Sequence, residues 1–524
     1  MNRPCTCHLE IFALSFWLLI GGLPIGCSSV SKPALTDGAP LQTADGAVLA
    51  DAPRSDGDGT ARPDASPVDA SAQDALAGDA AIADAATDGG SGAPSAKLMA
   101  IGGVGTHDPL AISIDDQGTI TIAGNTSSSF PFTIGKMSVT ASAPYGWVAQ
   151  LAPDWTPRWL LPLWGSSTGS VTLGAFARSG KAAIIAGSFS DLLQFPPKQL
   201  IDGKNGRRFV ARFDSQGTAS WVTTFVGGDL WPQALAADSK GNVFVGGWFT
   251  GTATIGTTKL TADAGGKHDA FLAAFDPKGQ PLWATRFGGV HDDDVTAIAV
   301  TATDRLFVGG RFAGTVSFDG LLARGIDHLD VFIGEVERKT GKFLKLRPFA
   351  GKDRDSLGTL VAHGQTLRAG LQVRGDISLD PMQAPYTAAG YADALVVELT
   401  SDLNLVEVQA VTSNGTLLSL LAPDLAAEGD RRWIAGIATH EVTWQQQTAK
   451  TDPGVYLAQE DRNPSAKARY LLHALRPSRE SYSLGGVVAH GGAPIVFGRY
   501  DGTLTYAGTT VSANLDGRLF LWRP

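Results

Sequence analysis

FVARFDSQGTASW, Phe209 to Trp221, and FLAAFDPKGQPLW, Phe271 to Trp283, place the same residue types at the same offsets 62 residues apart. A third copy, WVAQLAPDWTPRW, runs from Trp147 to Trp159, and weaker copies begin at Phe332, Leu395 and Tyr456. The last, LFLWRP from Leu519 to Pro524, stops halfway, and its missing half stands at KLMAIGG, Lys97 to Gly103. A second anchor gives the same count of seven: an apolar run ending in Gly recurs at Gly124, Gly187, Gly247, Gly310, Gly370, Gly436 and Gly498, with a small residue before the Gly in all but the last, where Phe497 stands. A unit this short needs neighbours to bury its faces, and strands divided by turn residues read as a propeller rather than a solenoid. A unit split between the two chain ends implies a ring. The expected fold is therefore all-β, a seven-bladed β-propeller over residues 97–524 with N-/C-terminal strand closure, preceded by a signal peptide and a disordered linker.

One unit, residues 228–289, serves as the pattern. ALAAD, from Ala234 to Asp238, is a small-residue strand suited to the crowded axis, and Gly241 and Asn242 turn the chain. NVFVGGWF, from Asn242 to Phe249, has the β-branched and aromatic residues of a strand interrupted by glycines that mark close backbone approach. A variable stretch then leads to DAFLAAFD, from Asp269 to Asp276, whose continuous apolar character suits a strand buried on both faces. Pro277, Lys278 and Gly279 form a hairpin turn. LWATRFGG, from Leu282 to Gly289, is the outer strand, and its Trp283 is expected to dock between adjacent sheets, as are Trp159 and Trp221. In the fourth unit Leu344 is read in place of the Trp. For the last unit, the inner strands are expected over 483–500, a third over 518–524, and the outer strand over 97–102, which removes exposed sheet edges.

This pattern resembles the bacterial secreted β-propeller repeat family, often called SBBP, whose units read much like FGG, an acidic stretch, AIAVD, GN, VxVxGxF, DxFVAKLD, G and LW. The resemblance covers residues 97 to 524 and is strongest in the second to fourth units. It implies fold and surface location, and it carries no catalytic residue, because the family is mostly without an assigned reaction.

The remainder of the chain reads as export and tether. IFALSFWLLI, from Ile11 to Ile20, is too short for a bilayer span and fits a signal-peptide core. LPIGC, ending at Cys27, resembles a bacterial lipobox with Pro24 where Leu is usual, so Cys27 is the expected lipidation site of a leader spanning 1–27. The alternative is an ordinary cleaved leader and a soluble periplasmic or secreted protein. Residues 28–96 contain no aromatic residue and are dominated by Ala, Asp, Gly, Pro and Ser, including a five-residue Asp-Ala period at Asp64, Asp69, Asp74, Asp79 and Asp84, which reads as a disordered linker. That period lacks the alternate ligand spacing of a calcium loop. A flexible coil of this length reaches about 45 Å, which holds the ring clear of a membrane surface.

Composition bounds the chemistry. All three cysteines, Cys5, Cys7 and Cys27, lie in the leader, so the repeat region has no disulfide, thiolate zinc site or Cys nucleophile. Residues 28–97 carry 11 Asp against Lys32, Arg54, Arg62 and Lys97, which leaves a net charge of about −2 for the ring out of −9 for the whole chain. A near-neutral ring lacks the basic footprint that nucleic acid requires. The densest polar cluster, His291, Asp292, Asp293 and Asp294, offers carboxylates to a hard cation; Asp108 and Asp355 recur in comparable positions, so these acids are expected to cap turns, with Asp292, Asp293 and Asp294 as the weak metal candidates. The DSQG turn differs from a sialidase Asp-box in its Gly and Trp offsets, and ERKTGKFL, from Glu337 to Leu344, is closer to quinoprotein repeats, without their cofactor-binding residues. No HExxH or Walker-type loop occurs in the repeat region. The eight His residues of the ring show no HxH or HxxxH spacing and read as turn and surface residues.

The sequence therefore points to a monomeric, tethered extracytoplasmic module at the outer membrane or cell surface. It would bind protein partners or surface glycans through loops at one end of the ring, touch the membrane only through its lipid, and need no cofactor. The alternative is a hydrolase or lyase with carboxylates and His converging on the axial channel. A third reading, a scaffold in outer-membrane assembly, is opposed by the count of seven units.

Overall fold

The computed structural model describes residues 82–84 and 96–524, except positions 104, 128–130, 141–143, 167–168, 196–198, 264–266, 414–423, 439–440, 451–453, 464–469, 476–477, 479–481, 508 and 514–517. Cys27, the leader and most of the expected linker lie outside the described residues. Every described regular element is a β-strand. Among the described residues, seven sheets each contain four strands in antiparallel succession, and the fold is of the β-propeller type. In the third sheet these are Asp229–Ala237, Val243–Thr250, Asp269–Phe275 and Pro281–Phe287, ordered from the inside outward.

The repeated small residue–Gly pair has a structural cause. In six sheets the innermost strand carries a bulge opposite the second strand, for example between Pro232 and Ala234 or between Val295 and Ala297. The bulge pushes an inner-strand carbonyl onto the second strand: a Cβ at Gly247 would lie 1.9 Å from the Trp231 oxygen, and one at Gly310 would lie 1.9 Å from the Asp294 oxygen. Only Gly fits there. The gap left by the missing side chain is covered from the third strand by an aromatic ring, since Gly124 pairs with Trp147, Gly247 with Phe271, Gly310 with Phe332, Gly436 with Tyr456 and Gly498 with Phe520.

The seventh sheet takes strands from both chain ends. Tyr482–His490, Ala493–Tyr500 and Arg518–Arg523 are followed by Lys97–Ile101, with Lys97 opposite Arg523 and Ile101 opposite Leu519. Innermost strands touch in sequence order, and Tyr482–His490 also touches His107–Ile114 of the first sheet. Arg499 of the seventh sheet bonds Asp108 of the first at 2.9 Å, and Phe497 meets Trp147 edge-on at 6.5 Å. Three residues of the expected linker, Ile82–Asp84, pair with Lys97–Met99, so that segment is not wholly unpaired. The outer strand offers the free backbone groups of a sheet edge, which a passing segment satisfies.

Between the second and third strands, most sheets project an inserted hairpin from the same end, such as Phe132–Ile134 with Met137–Val139, or Thr503–Tyr506 with Thr509–Ser512. Six of these hairpins latch onto the preceding sheet at its outer strand. Trp164 bridges Gln194, Val226 bridges Thr254, Ala350 pairs with Ser378 and Thr412 with Thr443. The Ser478 N–H donates to the Thr503 carbonyl, and that of Gly102 to the Thr133 carbonyl, both at 2.9 Å.

Candidate binding surface

The end of the sheets opposite the hairpins is built from capped turns. Asp214 Oδ1 accepts the N–H groups of Gln216 and Thr218, both at 2.9 Å, and Asp276 Oδ1 accepts those of Lys278 and Gln280. Gly217, Gly279 and Gly341 hold φ near +80° in these turns, and each lies under a tryptophan of the preceding sheet. Trp159 Nε1 donates to Ser215 O at 3.0 Å, Trp221 Nε1 to Pro277 O at 2.9 Å, and Trp283 Nε1 to Arg338 O at 2.8 Å. All three tryptophans therefore meet the next sheet's turn, with the ring on the Gly and the N–H on the carbonyl two or three residues before it.

Beyond these three junctions other chemistry takes the same place. Opposite Glu335, the register sets Lys345, because the turn 337–342 is one residue longer than 214–218 or 276–280, while the bulge after the pair is common to these sheets; Leu344, read from sequence as the Trp equivalent, is instead exposed. Lys345 Nζ reaches Asp402 in the next turn at 2.5 Å, and in the following sheet Glu407 pairs with Arg462. At the junction of the seventh and first sheets the partners are exchanged: Trp155 takes the turn position, at φ 71° and fully buried, with Lys97 and Arg523 over its ring at 5.2 and 5.5 Å. Lys97 Nζ also donates to Asp154 O at 3.1 Å.

The acidic run divides into three separate roles. Asp292 turns to His268 Nδ1 at 3.1 Å and to Lys267 at 3.6 Å. Asp293, 1% exposed, accepts the N–H groups of Gly289 at 2.8 Å and Ala313 at 3.2 Å, and burial pushes its carboxyl up to about 7. Asp294 forms an ion pair with Arg311. Asp355 occupies the position of Asp293 one sheet later, accepts the Arg374 N–H at 3.0 Å and is raised to about 8, again chiefly by burial. Asp108, by contrast, aligns in register with Asp294, and its arginine partner, Arg499, comes from the seventh sheet. Among the described residues no group of three or more His, Cys, Asp or Glu is placed to hold a metal ion.

The expectation that the histidines sit at turns and on the surface is corrected at His107, which is fully buried. Nε2 accepts the Gly103 N–H at 3.2 Å, which leaves Nδ1–H to donate to Thr126 Oγ1 at 3.1 Å, and Phe132 closes the ring edge at 5.0 Å. Burial lowers this imidazole to about 4. A strand start next to a bulge gave no sequence signal for that burial. A second feature without a local signature is the charged network of the fifth and sixth sheets, where Glu398 pairs with Arg432 and Arg462, and Glu460 with Arg462. Arg368, 2% exposed, lies in the same network, and burial lowers its guanidinium to about 10.

At the hairpin end, one cross-strand position separates the third sheet from its neighbours. The second pair beyond the bulge, formed by the innermost and second strands, is Asp108–Asn125, Thr172–Ser188, Asp294–Arg311, Ser356–Gln372 and Ser483–Arg499 in five sheets; it follows the Gly in four of them, and in the fifth Leu371 stands in the place of the Gly. In the third sheet it is Trp231–Trp248. Both indoles are partly exposed. His268 packs on Trp248 at 4.8 Å and is held there by Asp292, while Arg208 sits 5.9 Å from the Trp231 ring and is tied to Asp229 and to the Leu230 carbonyl. The signal was available in sequence as the residue after each small residue–Gly pair, which is Trp only at 248.

No family model matches the chain. Among curated proteins, the regulatory protein FlaEY of Caulobacter vibrioides is 29% identical over 123 residues, covering 22% of this chain and 13% of that protein. An uncharacterized WD repeat-containing protein of Acanthamoeba polyphaga mimivirus is 26% identical over 110 residues, 20% of this chain and 8% of that protein. The chain thus matches only small fractions of these relatives. Similar solved structures include the Neurospora crassa Pan2 WD40 domain, at TM-score 0.37 and 10% identity over 80% of this chain and 89% of that one. Another is YCF48 bound to a peptide, at TM-score 0.35 and 10% identity over 81% and 94%.

Proposed function

We propose that this chain is a seven-bladed ring, closed by pairing of its two ends, that is exported, tethered through Cys27 and used as a binding or scaffold module for protein or glycan partners. The observation that carries the reading is the repeated latch. Inserted hairpins emerge at one end and are fastened to the preceding sheet, which gives a rigid frame displaying variable loops on a common surface. Such a surface is where binding residues gather on a scaffold of this kind. Trp159, Trp221 and Trp283 are the residues that dock neighbouring blades. The acids near the axis at the hairpin end support binding over hydrolysis or lyase chemistry, because Asp108 and Asp294 are each committed to an arginine.

Thermal unfolding of the protein against calcium and other divalent ions, a quinone cofactor, and a panel of glycans and peptides tests the reading, since a ligand that binds the native state raises the melting temperature. A reproducible rise with a glycan or a peptide is expected. Rises confined to a metal ion or quinone would refute a plain binding module. The tether is tested by palmitate labelling, which Cys27→Ala should abolish.

A further inference from the structure

We infer that Trp231 and Trp248 form a stacking site for a neutral sugar ring at the hairpin end of the third sheet. The inference rests on the binding-module reading above and names the ligand class and residues of one site. Its starting point is a departure from the repeat. The position taken by Trp231–Trp248 is polar in five other sheets, where the pairs include Asp294–Arg311 and Asp108–Asn125. Folding does not demand indoles there, because five sheets form the same bulge without them, four of them with the same Gly contact. Two large aromatic rings partly in water, where other sheets carry polar residues, form an exposed aromatic surface.

The surroundings define the ligand. Indole faces attract the C–H faces of a pyranose as they do other flat, polarizable partners, and their N–H groups donate hydrogen bonds. Polar groups fix orientation in such sites. Here they are Asp229, whose carboxylate is 62% exposed, Lys267, 56% exposed, and the His268–Asp292 pair. Arg208 offsets Asp229 and Lys267 faces Asp292, so the local charges cancel. That balance suits a neutral saccharide better than a phosphorylated or polyanionic chain. His268 is positioned by Asp292 against Trp248, which holds that indole in place ahead of binding.

The test uses the full chain and hexasaccharides of β-1,4-glucan, chitin, xylan and mannan as probes, with binding read by calorimetry. Wild-type protein is expected to bind at least one, and Trp248→Ala is expected to weaken that binding at least tenfold, with Trp231→Ala in the same direction and an unchanged melting temperature. Should the alanine variants fold poorly, wild-type protein labelled with 15N-tryptophan gives the answer directly: the indole N–H resonances of Trp231 and Trp248 should shift on adding the bound hexasaccharide, while those of Trp159 and Trp283 stay. Binding that is unaffected by both substitutions, or a shift confined to other tryptophans, overturns this site while leaving the binding module intact. If none of the four sugars binds but a peptide raises the melting temperature, the sugar inference fails and the module reading stands. If no glycan or peptide binds, both fail.

Discussion

Truncating Trp283 should loosen one junction of the ring by a calculable amount. The indole covers Gly341 of the next sheet, packs near Phe244 at 6.3 Å and donates to Arg338 O at 2.8 Å. Full burial would make Trp283→Ala cost about 3–5 kcal/mol; partial exposure brings this to about 2 kcal/mol. The lost hydrogen bond adds about 1 kcal/mol. At about 2.1 cal/mol/K per residue over a ring of about 430 residues, a loss of about 3 kcal/mol lowers the melting temperature by about 3 °C. The pairing with Gly341 sharpens the test. A Cβ there would stand 2.6 Å from the indole, at φ +78°. Gly341→Ala therefore strains the backbone by about 1–2 kcal/mol in any background and displaces the indole only when Trp283 is present. Denaturant unfolding of both single variants and the double should show a coupling of at least about 1 kcal/mol, the range expected of residues in contact. Additive effects, or a Trp283→Ala loss under about 0.5 kcal/mol, would refute the docking role.

Three further outcomes follow from the same structure. Asp293 and Asp355 hold raised carboxyl groups near 7 and 8, so their stabilising contribution is complete below about 3.8 and is lost as pH rises through those values. His107, lowered to about 4, acts oppositely and only below 6.5, so between pH 6.5 and 9 the acids alone of these three act; the melting temperature should fall over that window, and Asp293→Asn with Asp355→Asn should flatten the fall. Glu398→Ala leaves Arg432, 9% exposed, without its buried partner and should cost about 3 kcal/mol in urea unfolding, whereas the exposed ion pair of Lys352 with Asp376 should prove nearly neutral when removed. Deleting residues 517–524 takes away the strand between Ala493–Tyr500 and Lys97–Ile101 and should destabilise the whole domain, seen as a lowered and broadened thermal transition.

The repeat was legible because its signals are local. The seven repeated Gly positions all fall on second strands, and the expected strands of the third unit match the observed ones within a few residues, except that the inner strand begins at Asp229, five residues early. In five of the six sheets with a described inner bulge the close backbone approach is met by Gly, so the sequence shows it; in the fifth sheet Leu371 stands there. The latching hairpins were read only as variable stretches, since their pairing partners lie in the preceding unit. Lys345 was missed because the turn 337–342 carries one residue more than 214–218 or 276–280, which moves the docking position from 344 to 345. Trp155 shows the limit of the pattern, because it stands where other turns have Gly and makes sense only once Lys97 and Arg523, from the two ends of the chain, are seen above it.

Closure of the ring by these two ends is tested most directly by a disulfide. In protein whose native cysteines are replaced by serine, Lys97→Cys and Arg523→Cys stand directly opposite each other in the antiparallel register. Such pairs have Cα atoms about 4.5–5.5 Å apart, inside the disulfide range of about 4.4–6.8 Å. Mild oxidation of the folded protein should link them and change its mobility on a non-reducing gel, while a Lys97→Cys, Gly429→Cys control should stay open. Free thiols at both positions after oxidation of folded protein would contradict a ring closed by Lys97–Ile101 and Arg518–Arg523.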